Sequence, residues 1–160
     1  MDITFRTEEG RFNYRVTAVI MNRNRLLVMK DERSPYYYLP GGRVKMGETA
    51  QEAVLRELRE ELGIMAEIVR PLWFNQSFFV EDVDKERYHE ICIYYLVDIN
   101  ATGLLSRGES FRCIESENGE QLTFFWMPFE KVRGEYLYPE FIKEHILHIP
   151  ETLECTVEYR

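Results

Sequence analysis

Three glutamates within five positions, Glu57, Glu60 and Glu61, are the residues of this sequence whose type and spacing first indicate chemistry. They lie in the stretch ETAQEAVLRELREELG (Glu48 to Gly63), which has the apolar spacing of a helix. Because residues three and four positions apart are neighbours on a helix, the three carboxylates are predicted to converge on one face. Carboxylate oxygens in that arrangement would bind a hard divalent cation such as Mg²⁺ or Mn²⁺.

An alternative interpretation is a solvated acidic helix face. Arg56 and Arg59 lie among the glutamates and would partly neutralise them, as on many exposed amphipathic helices. The sequence before the helix favours a binding site instead. The glycine-rich segment 40–47, PGGRVKMG, allows a close approach of the backbone to a ligand, because glycine has no side chain and tolerates positive φ.

The spacing of these residues matches a known motif. Gly42, five residues, Glu48, seven residues and RELREELGI (Arg56 to Ile64) fill every fixed position of the Nudix box, G-x5-E-x7-R-E-U-x-E-E-x-G-U with U apolar. The segments LPGG and FFWMPFEKV are also similar to the family. The chain therefore resembles a Nudix hydrolase.

The resemblance implies an α/β (α+β) fold, an α/β/α sandwich with a mixed β-sheet between helices. It also implies metal-dependent hydrolysis of a pyrophosphate bond in a nucleoside diphosphate linked to another moiety. Divalent cations would neutralise the phosphates and lower the pKa of a bound water.

The resemblance assigns a role to each matching position. Glu60 and Glu61 would be the principal metal ligands, and Glu57 would be a further ligand or the base that activates water. The backbone carbonyl of Gly41 would complete the coordination. Glu57, Glu60 and Arg56 are the predicted catalytic residues.

Further residues around the box remain open. Glu48 would orient the cluster through Arg56, from outside the direct ligands. Glu90, Glu117 and Glu120 are candidates for a carboxylate from outside the box, each with solvated surface residue as the alternative. His89 is a base near the metal or, as the sequence favours, a packed strand residue.

The substrate is less well defined. Seven aromatic residues could stack on a base or pack in the core: Tyr36, Tyr37, Tyr38, Trp73, Phe74, Phe78 and Phe79. Phe79 stands where a proline often accompanies ADP-ribose hydrolysis, and no tyrosine typical of dinucleoside polyphosphate cleavage occurs at residues 80–82. A small nucleotide, a nucleoside or modified nucleoside triphosphate, is the first hypothesis. An RNA 5′-end pyrophosphohydrolase and a non-catalytic nucleotide-sensing module are the alternatives.

Composition sets limits on these hypotheses. The 160 residues predict a single domain, 1–160. With 20 basic and 28 acidic residues, the net charge of −8 argues against non-specific binding of nucleic acid. The start lacks the pattern of a secretory signal, no apolar run is long enough for a membrane span, and three scattered cysteines form no disulfide framework. A cytoplasmic location is expected, and exposed strands would allow a homodimer.

The elements that must position the glutamates follow from local patterns. The segment 12–21 and RLLVMKD predict a hairpin, and PYYYLPGG predicts a short strand before the helix. Strands are predicted at 66–74, 76–80, 90–99 and 111–114, in QLTFFWMP, and in LECTVEY. PEFIKEHILHI predicts a second helix, since proline suits the first helical position. Mixed strands with two helices favour a sheet between helices.

Overall fold

The computed structural model describes all 160 residues, and its strands form two sheets. The strands are β1 (Thr4–Thr7), β2 (Gly10–Val19), β3 (Met21–Asn22), β4 (Arg25–Asp31), β5 (Gly41–Arg43), β6 (Glu67–Val80), β7 (Arg87–Asp98), β8 (Ser110–Ile114), β9 (Gln121–Pro128) and β10 (Glu154–Tyr159). The helices are α1 (Ala50–Leu62), α2 (Phe129–Val132) and α3 (Ile142–His145), with a 3-10 helix at Leu104–Arg107. None of the helices has the length and apolar composition needed to cross a membrane.

The larger sheet is mixed, as predicted. Its strand order is β1-β2-β7-β6-β10, and β5 pairs with β2. β2 runs parallel to β7 and β10 runs parallel to β6, whereas the other pairs are antiparallel. The two strands predicted at 66–74 and 76–80 form one long strand, β6, whose register shifts around Arg70 and Pro71. Proline lacks the N–H for a regular ladder, so an irregularity at Pro71 is expected.

The predicted hairpin of segment 12–21 with RLLVMKD is wrong except at its tip. β2 belongs to the larger sheet, whereas β4 belongs to a smaller sheet of order β3-β4-β9-β8. Only Met21 and Asn22 pair back onto β4. Arg23 and Asn24 both have positive φ, 49° and 60°, which makes the two-residue turn, and the chain passes to the second sheet just before it.

Two other predicted elements are shorter than expected. PYYYLPGG does not form a continuous strand: Tyr37 and Tyr38 make isolated bridges, and only Gly41–Arg43 pairs as a strand. The predicted second helix in PEFIKEHILHI contracts to α3, because the backbone bonds on both sides of it join residues three apart, as in tighter turns.

Both sheets lie between helices. Alternate residues of β2 and β4 enter two separate cores, as the period of a strand requires. Val16 and Leu27 belong to the core under α1, and Val19 and Leu26 belong to the core that also contains Ile142 of α3. The structure is a mixed α+β sandwich in which α1 packs against β2 and β5 of the larger sheet and also contacts β8 of the smaller one.

Candidate active site

Helix α1 is fixed at both ends by its own sequence. The Thr49 hydroxyl accepts a hydrogen bond from the Glu52 N–H, and the Glu52 carboxylate accepts one from the Thr49 N–H, which is a complete capping box. Gly63 ends the helix in the left-handed conformation. Leu58 and Leu62 are buried in the core, whereas Leu55 is half-buried. The helix is therefore a firm support for the side chains on its other face.

The three helical glutamates are shielded from solvent, so the solvated acidic face is wrong. The side chains of Glu57 and Glu60 are 14% and 17% exposed. Glu61 is buried, and its Oε1 accepts a hydrogen bond of 3.0 Å from the Gly41 N–H. The position of Glu61 thus depends on the segment that precedes the helix.

Arg56 links four groups at the surface of α1. Its Nε and Nη2 donate to the two oxygens of Glu48 at 2.7 and 3.1 Å. Its Nη1 donates to Glu57 at 2.8 Å and to Glu60 at 3.2 Å, and Nη2 also donates to the Arg43 carbonyl at 3.0 Å. The guanidinium therefore orients two of the predicted metal ligands and ties them to β5.

Burial shifts the proton affinity of these carboxylates upward. It raises the pKa of Glu57 to about 7, against the opposite influence of Arg56. Burial also raises the pKa of Glu60, and it raises the pKa of Glu61 well above its usual range. Glu48 differs, because its hydrogen bonds from Arg56 lower its pKa. The site thus holds one well-compensated carboxylate and three that lack sufficient positive charge.

The glycines before the helix are needed for space. A Cβ at Gly42 would lie 2.3 Å from the Cδ and Oε1 atoms of Glu57. A Cβ at Gly41 would lie 2.2 Å from the Val16 carbonyl oxygen, because β5 pairs closely with β2. The Gly41 N–H contacts Glu61, whereas a metal-binding role of its carbonyl stays a prediction.

The three helical carboxylates do not form one compact group. The carboxylate oxygens that lie within 4.8 Å of one another belong to Glu60, Glu115 and Glu117. Glu61 is directed to the Gly41 N–H, and Arg56 Nη1 lies between Glu57 and Glu60. The convergence of Glu57, Glu60 and Glu61 on one metal stays a prediction, and the turn before β9 brings Glu115 and Glu117 close to Glu60.

The three candidate carboxylates from outside the motif lie in different surroundings. Glu117 lies near Glu60 and also accepts a hydrogen bond of 3.3 Å from Lys45 Nζ. Glu120 is paired with Arg33 at 3.3 Å and is not in the group. Glu90 accepts a hydrogen bond from Asn13 in a neighbouring cavity.

His89 lies on strand β7 with an exposed side chain, so it contacts neighbouring rings on the surface of the sheet and is not packed in the core as expected. Its ring lies 4.5 Å from the ring of Phe78 and 5.8 Å from that of Phe12, measured between centroids. It is not in the carboxylate group around Glu60.

Two residues of this region were not identified from the sequence. Glu115 is buried, and its carboxylate accepts hydrogen bonds from the backbone N–H groups of Glu117 and Asn118, both at 2.9 Å. Arg15 projects from β2 into the cavity, where burial acts to lower its pKa but Glu90 and other nearby groups raise it overall. The sequence did contain a sign of Arg15, because Asn13, Arg15 and Thr17 alternate as polar residues along a strand and therefore share one face of it.

A cavity of about 350 Å³ lies near the site, and its lining includes Arg15 and Arg43 together with the acidic Asp31, Glu81, Asp82 and Glu90 but none of the α1 carboxylates. Of the seven aromatic residues considered above, Tyr36, Tyr38 and Phe79 line it, whereas Trp73 is fully buried in the core. Arg43 joins the two regions: its side chain lines the cavity, and its carbonyl accepts the hydrogen bond from Arg56. The volume is within the usual range for a small-molecule site.

The donor set fits a hard divalent cation. The group at Glu60 consists of carboxylates alone, with no cysteine or histidine, and oxygen ligands of this kind suit Mg²⁺ or Mn²⁺. The raised pKa values of Glu57 and Glu61 indicate the same need for positive charge. Fold and motif together indicate a hydrolase.

Comparison with known proteins agrees with this class. The family model of the NUDIX domain matches residues 11–147, so the chain belongs to the Nudix family and is a Nudix hydrolase. The ADP-ribose pyrophosphatase of Methanocaldococcus jannaschii is 31% identical over 125 residues, which are 76% of this chain and 71% of that protein. The 8-oxo-dGTP diphosphatase of Escherichia coli is 64% identical over 25 residues, 16% of this chain and 19% of that protein.

A solved structure extends the similarity to the whole fold. The crystal structure of a MutT protein from Bacillus halodurans superposes with a TM-score of 0.62 at 17% identity. The superposition covers 92% of this chain and 90% of that one. It confirms the α+β fold class.

Proposed function

We propose that this Nudix hydrolase is a divalent-metal-dependent pyrophosphohydrolase of small nucleotides, with a nucleoside or modified nucleoside triphosphate as substrate. The observation that carries the proposal is the cluster of buried carboxylates, which Arg43 links to a cavity lined by aromatic, cationic and acidic side chains. Glu57, Glu60 and Glu61 lack compensating charge, and the rings of Tyr36 and Tyr38 line the cavity where a base could stack.

The metal would be held mainly by Glu60, with Glu57 and Glu61 on the same helix and Glu117 from the turn before β9. Bound Mg²⁺ or Mn²⁺ supplies Lewis-acid charge for the pyrophosphate and lowers the pKa of a water. Glu117 is a better candidate than Glu120 because its carboxylate already lies near that of Glu60.

The protein's own groups then position the reactants and move the proton. Arg56 holds Glu57 and Glu60 in place through hydrogen bonds of 2.8 and 3.2 Å. Burial raises the pKa of Glu57 to about 7 without metal and a bound cation would lower it, so Glu57 is either a further ligand or the base that activates water. Arg15 and Arg43 place positive charge in the cavity for the remaining phosphate oxygens.

ADP-ribose is the second candidate substrate. The similarity to the M. jannaschii ADP-ribose pyrophosphatase extends over 76% of this chain. The triphosphate stays the first candidate because Phe79 stands where a proline often accompanies ADP-ribose hydrolysis.

The test is a hydrolysis screen of the purified chain with Mg²⁺ or Mn²⁺, with products identified by mass. A triphosphate substrate gives a nucleoside monophosphate and pyrophosphate, whereas ADP-ribose gives AMP and ribose 5-phosphate. The Glu60→Gln variant is expected to lose about a hundredfold or more in rate, while Glu67→Gln, at an exposed position, keeps the wild-type rate. A folded chain that hydrolyses no nucleotide with either metal would contradict the proposal.

A second comparison tests the ligand from outside the box. Glu117→Gln is expected to weaken binding of Mn²⁺ by roughly 10–100-fold, as measured by calorimetry. Glu120→Gln is the matched control, because Glu120 pairs with Arg33 outside the group. Equal effects of the two substitutions would remove Glu117 from the site.

A further inference from the structure

Five rings form a row across the larger sheet, which we call the aromatic ladder: Phe5, Phe12, His89, Phe78 and Tyr159. Each is directly opposite the next in the strand register from β1 to β10. The centroids of successive rings lie 5.1, 5.8, 4.5 and 5.1 Å apart. The ladder therefore crosses all five strands without a gap.

The ladder is open to solvent. Phe5 is 56% exposed and Tyr159 is 78% exposed. The ladder is on the face of the sheet that carries Val16, but it lies four residues along β2 from Val16, which packs in the core under α1. An adjacent row on the same face follows the same register: Tyr14, Ile91, Gln76 and Val157.

This composition is unusual for a solvated surface. The two rows contain no Asp, Glu, Lys or Arg, although 30% of the chain consists of these residues. A sheet face in water normally carries polar side chains, and a contiguous apolar surface of several hundred Å² marks an interaction site. Depletion of charge together with enrichment of aromatic residues is typical of the centre of a protein interface.

We propose that the aromatic ladder and its adjacent row are the interface of a homodimer. The order of residues in the ladder is symmetric about His89, with Phe12 and Phe78 on either side and Phe5 and Tyr159 at the ends. A twofold axis between the two copies that is perpendicular to the ladder, and inclined so that the two sheets diverge towards α1, reverses the ladder. It places Phe5 against Tyr159 of the partner subunit and His89 against His89 of the partner subunit, which is a self-complementary contact.

The available area fits a weak dimer. With about 200 Å² per aromatic side chain, the exposed parts of Phe5 and Tyr159 amount to roughly 270 Å². With Val157, which is 56% exposed, and the partly exposed rings between, the two rows offer on the order of 500 Å² per subunit. A dimer would bury about 1,000 Å², the lower end of specific interfaces, so dissociation in the micromolar range is expected.

Analytical ultracentrifugation over 1–300 µM full-length chain tests the proposal. The wild type is expected to show a reversible monomer–dimer equilibrium. The double variant Phe5→Asp and Tyr159→Asp is expected to weaken it at least a hundredfold, since each interface would then bury four carboxylates. Met65→Asp is the matched control, because Met65 is 73% exposed and outside the ladder. Tyr159→Asp alone provides a milder variant if the double variant does not fold.

Crosslinking tests the symmetry. In a Cys155→Ser background, which removes an exposed thiol on β10, the pair Phe5→Cys and Tyr159→Cys is expected to form a disulfide between subunits on mild oxidation. A bond within one subunit is excluded, because the ladder ends lie four strand spacings, about 19 Å, apart.

Three results would overturn the proposal: a wild-type monomer at 300 µM, a dimer that the double variant weakens no more than Met65→Asp does, or no crosslink between subunits. A monomer whose ladder variants lose binding to lipid vesicles would show that the surface contacts a membrane instead.

Discussion

Replacing Gly42 by alanine is expected to displace the Glu57 carboxylate without unfolding the protein. The new Cβ would lie 2.3 Å from the Cδ and Oε1 atoms of Glu57 and 2.6 Å from Oε2. Ordinary contacts begin at about 3.4 Å, so the carboxylate must move by roughly 1 Å. Gly42 does not have a positive φ, so alanine causes no backbone strain there.

The displacement predicts a large loss of activity at nearly constant stability. A misplacement of about 1 Å in a catalytic group costs on the order of a hundredfold in rate, or about 2.7 kcal/mol of transition-state stabilisation. The group that must move is the end of a side chain, so the free energy of unfolding is expected to change by less than about 1 kcal/mol. Steady-state kinetics with the substrate from the hydrolysis screen and urea denaturation measure the two quantities.

Two controls isolate the contact with Glu57. Gly134→Ala adds the same atom where the nearest neighbour is 3.9 Å away, and it is expected to leave kcat/KM unchanged. In a Glu57→Gln background, Gly42→Ala is expected to cost less than about tenfold, because effects of contacting residues are not additive. Full activity of Gly42→Ala, or an equally large loss of kcat/KM from Gly42→Ala in the Glu57→Gln background, would show that displacement of the Glu57 carboxylate is not the cause.

Three further predictions concern the same helix. Glu57→Gln is expected to raise the free energy of unfolding by about 2–3 kcal/mol at pH 8 in EDTA and by little at pH 4.5. Burial raises the pKa of Glu57 to about 7, so ionisation of this carboxyl above its unfolded pKa favours the unfolded state. Denaturation at both pH values measures the difference. Arg56→Lys is expected to lower kcat about a hundredfold with unchanged circular dichroism, since lysine cannot bind Glu48 through two nitrogens while contacting Glu57, and an unchanged kcat would contradict this. Thr49→Ala is expected to lower the free energy of unfolding by about 1 kcal/mol, because the helix loses its N-terminal cap, and to leave kcat unchanged in assays at 25 °C.

The sequence predicted the features that depend on local spacing. The helix predicted within Glu48 to Gly63 is α1, because its apolar spacing depends on residues a few positions apart. The strand in QLTFFWMP appears with the predicted bounds, as β9. Membership of the Nudix family could also be predicted, because the motif has nine fixed positions in one continuous segment.

Features that depend on contacts between distant segments could not be predicted in the same way. The hairpin pattern at residues 12–31 could not show that β2 and β4 enter different sheets, since that is decided by pairing with β7 and β9. Glu115 was missed for a similar reason. Its carboxylate is buried by the fold and bonds to its own turn, whereas in the sequence it is one of several acids.

The charge balance at α1 connects the proposed activity with stability. Six carboxylates meet there (Glu48, Glu57, Glu60, Glu61, Glu115 and Glu117) against three cations (Arg15, Lys45 and Arg56). The six carboxylates exceed the three cations by three, and all but Glu117, whose side chain is 56% exposed, are shielded from solvent. Burial raises the pKa of Glu57, Glu60 and Glu61, so the metal-free fold is less stable at a pH where these three ionise than its packing alone would allow. A divalent cation removes most of that deficit, and a pyrophosphate then restores negative charge next to it. The carboxylates that destabilise the fold are thus the same groups that the proposed metal and substrate require.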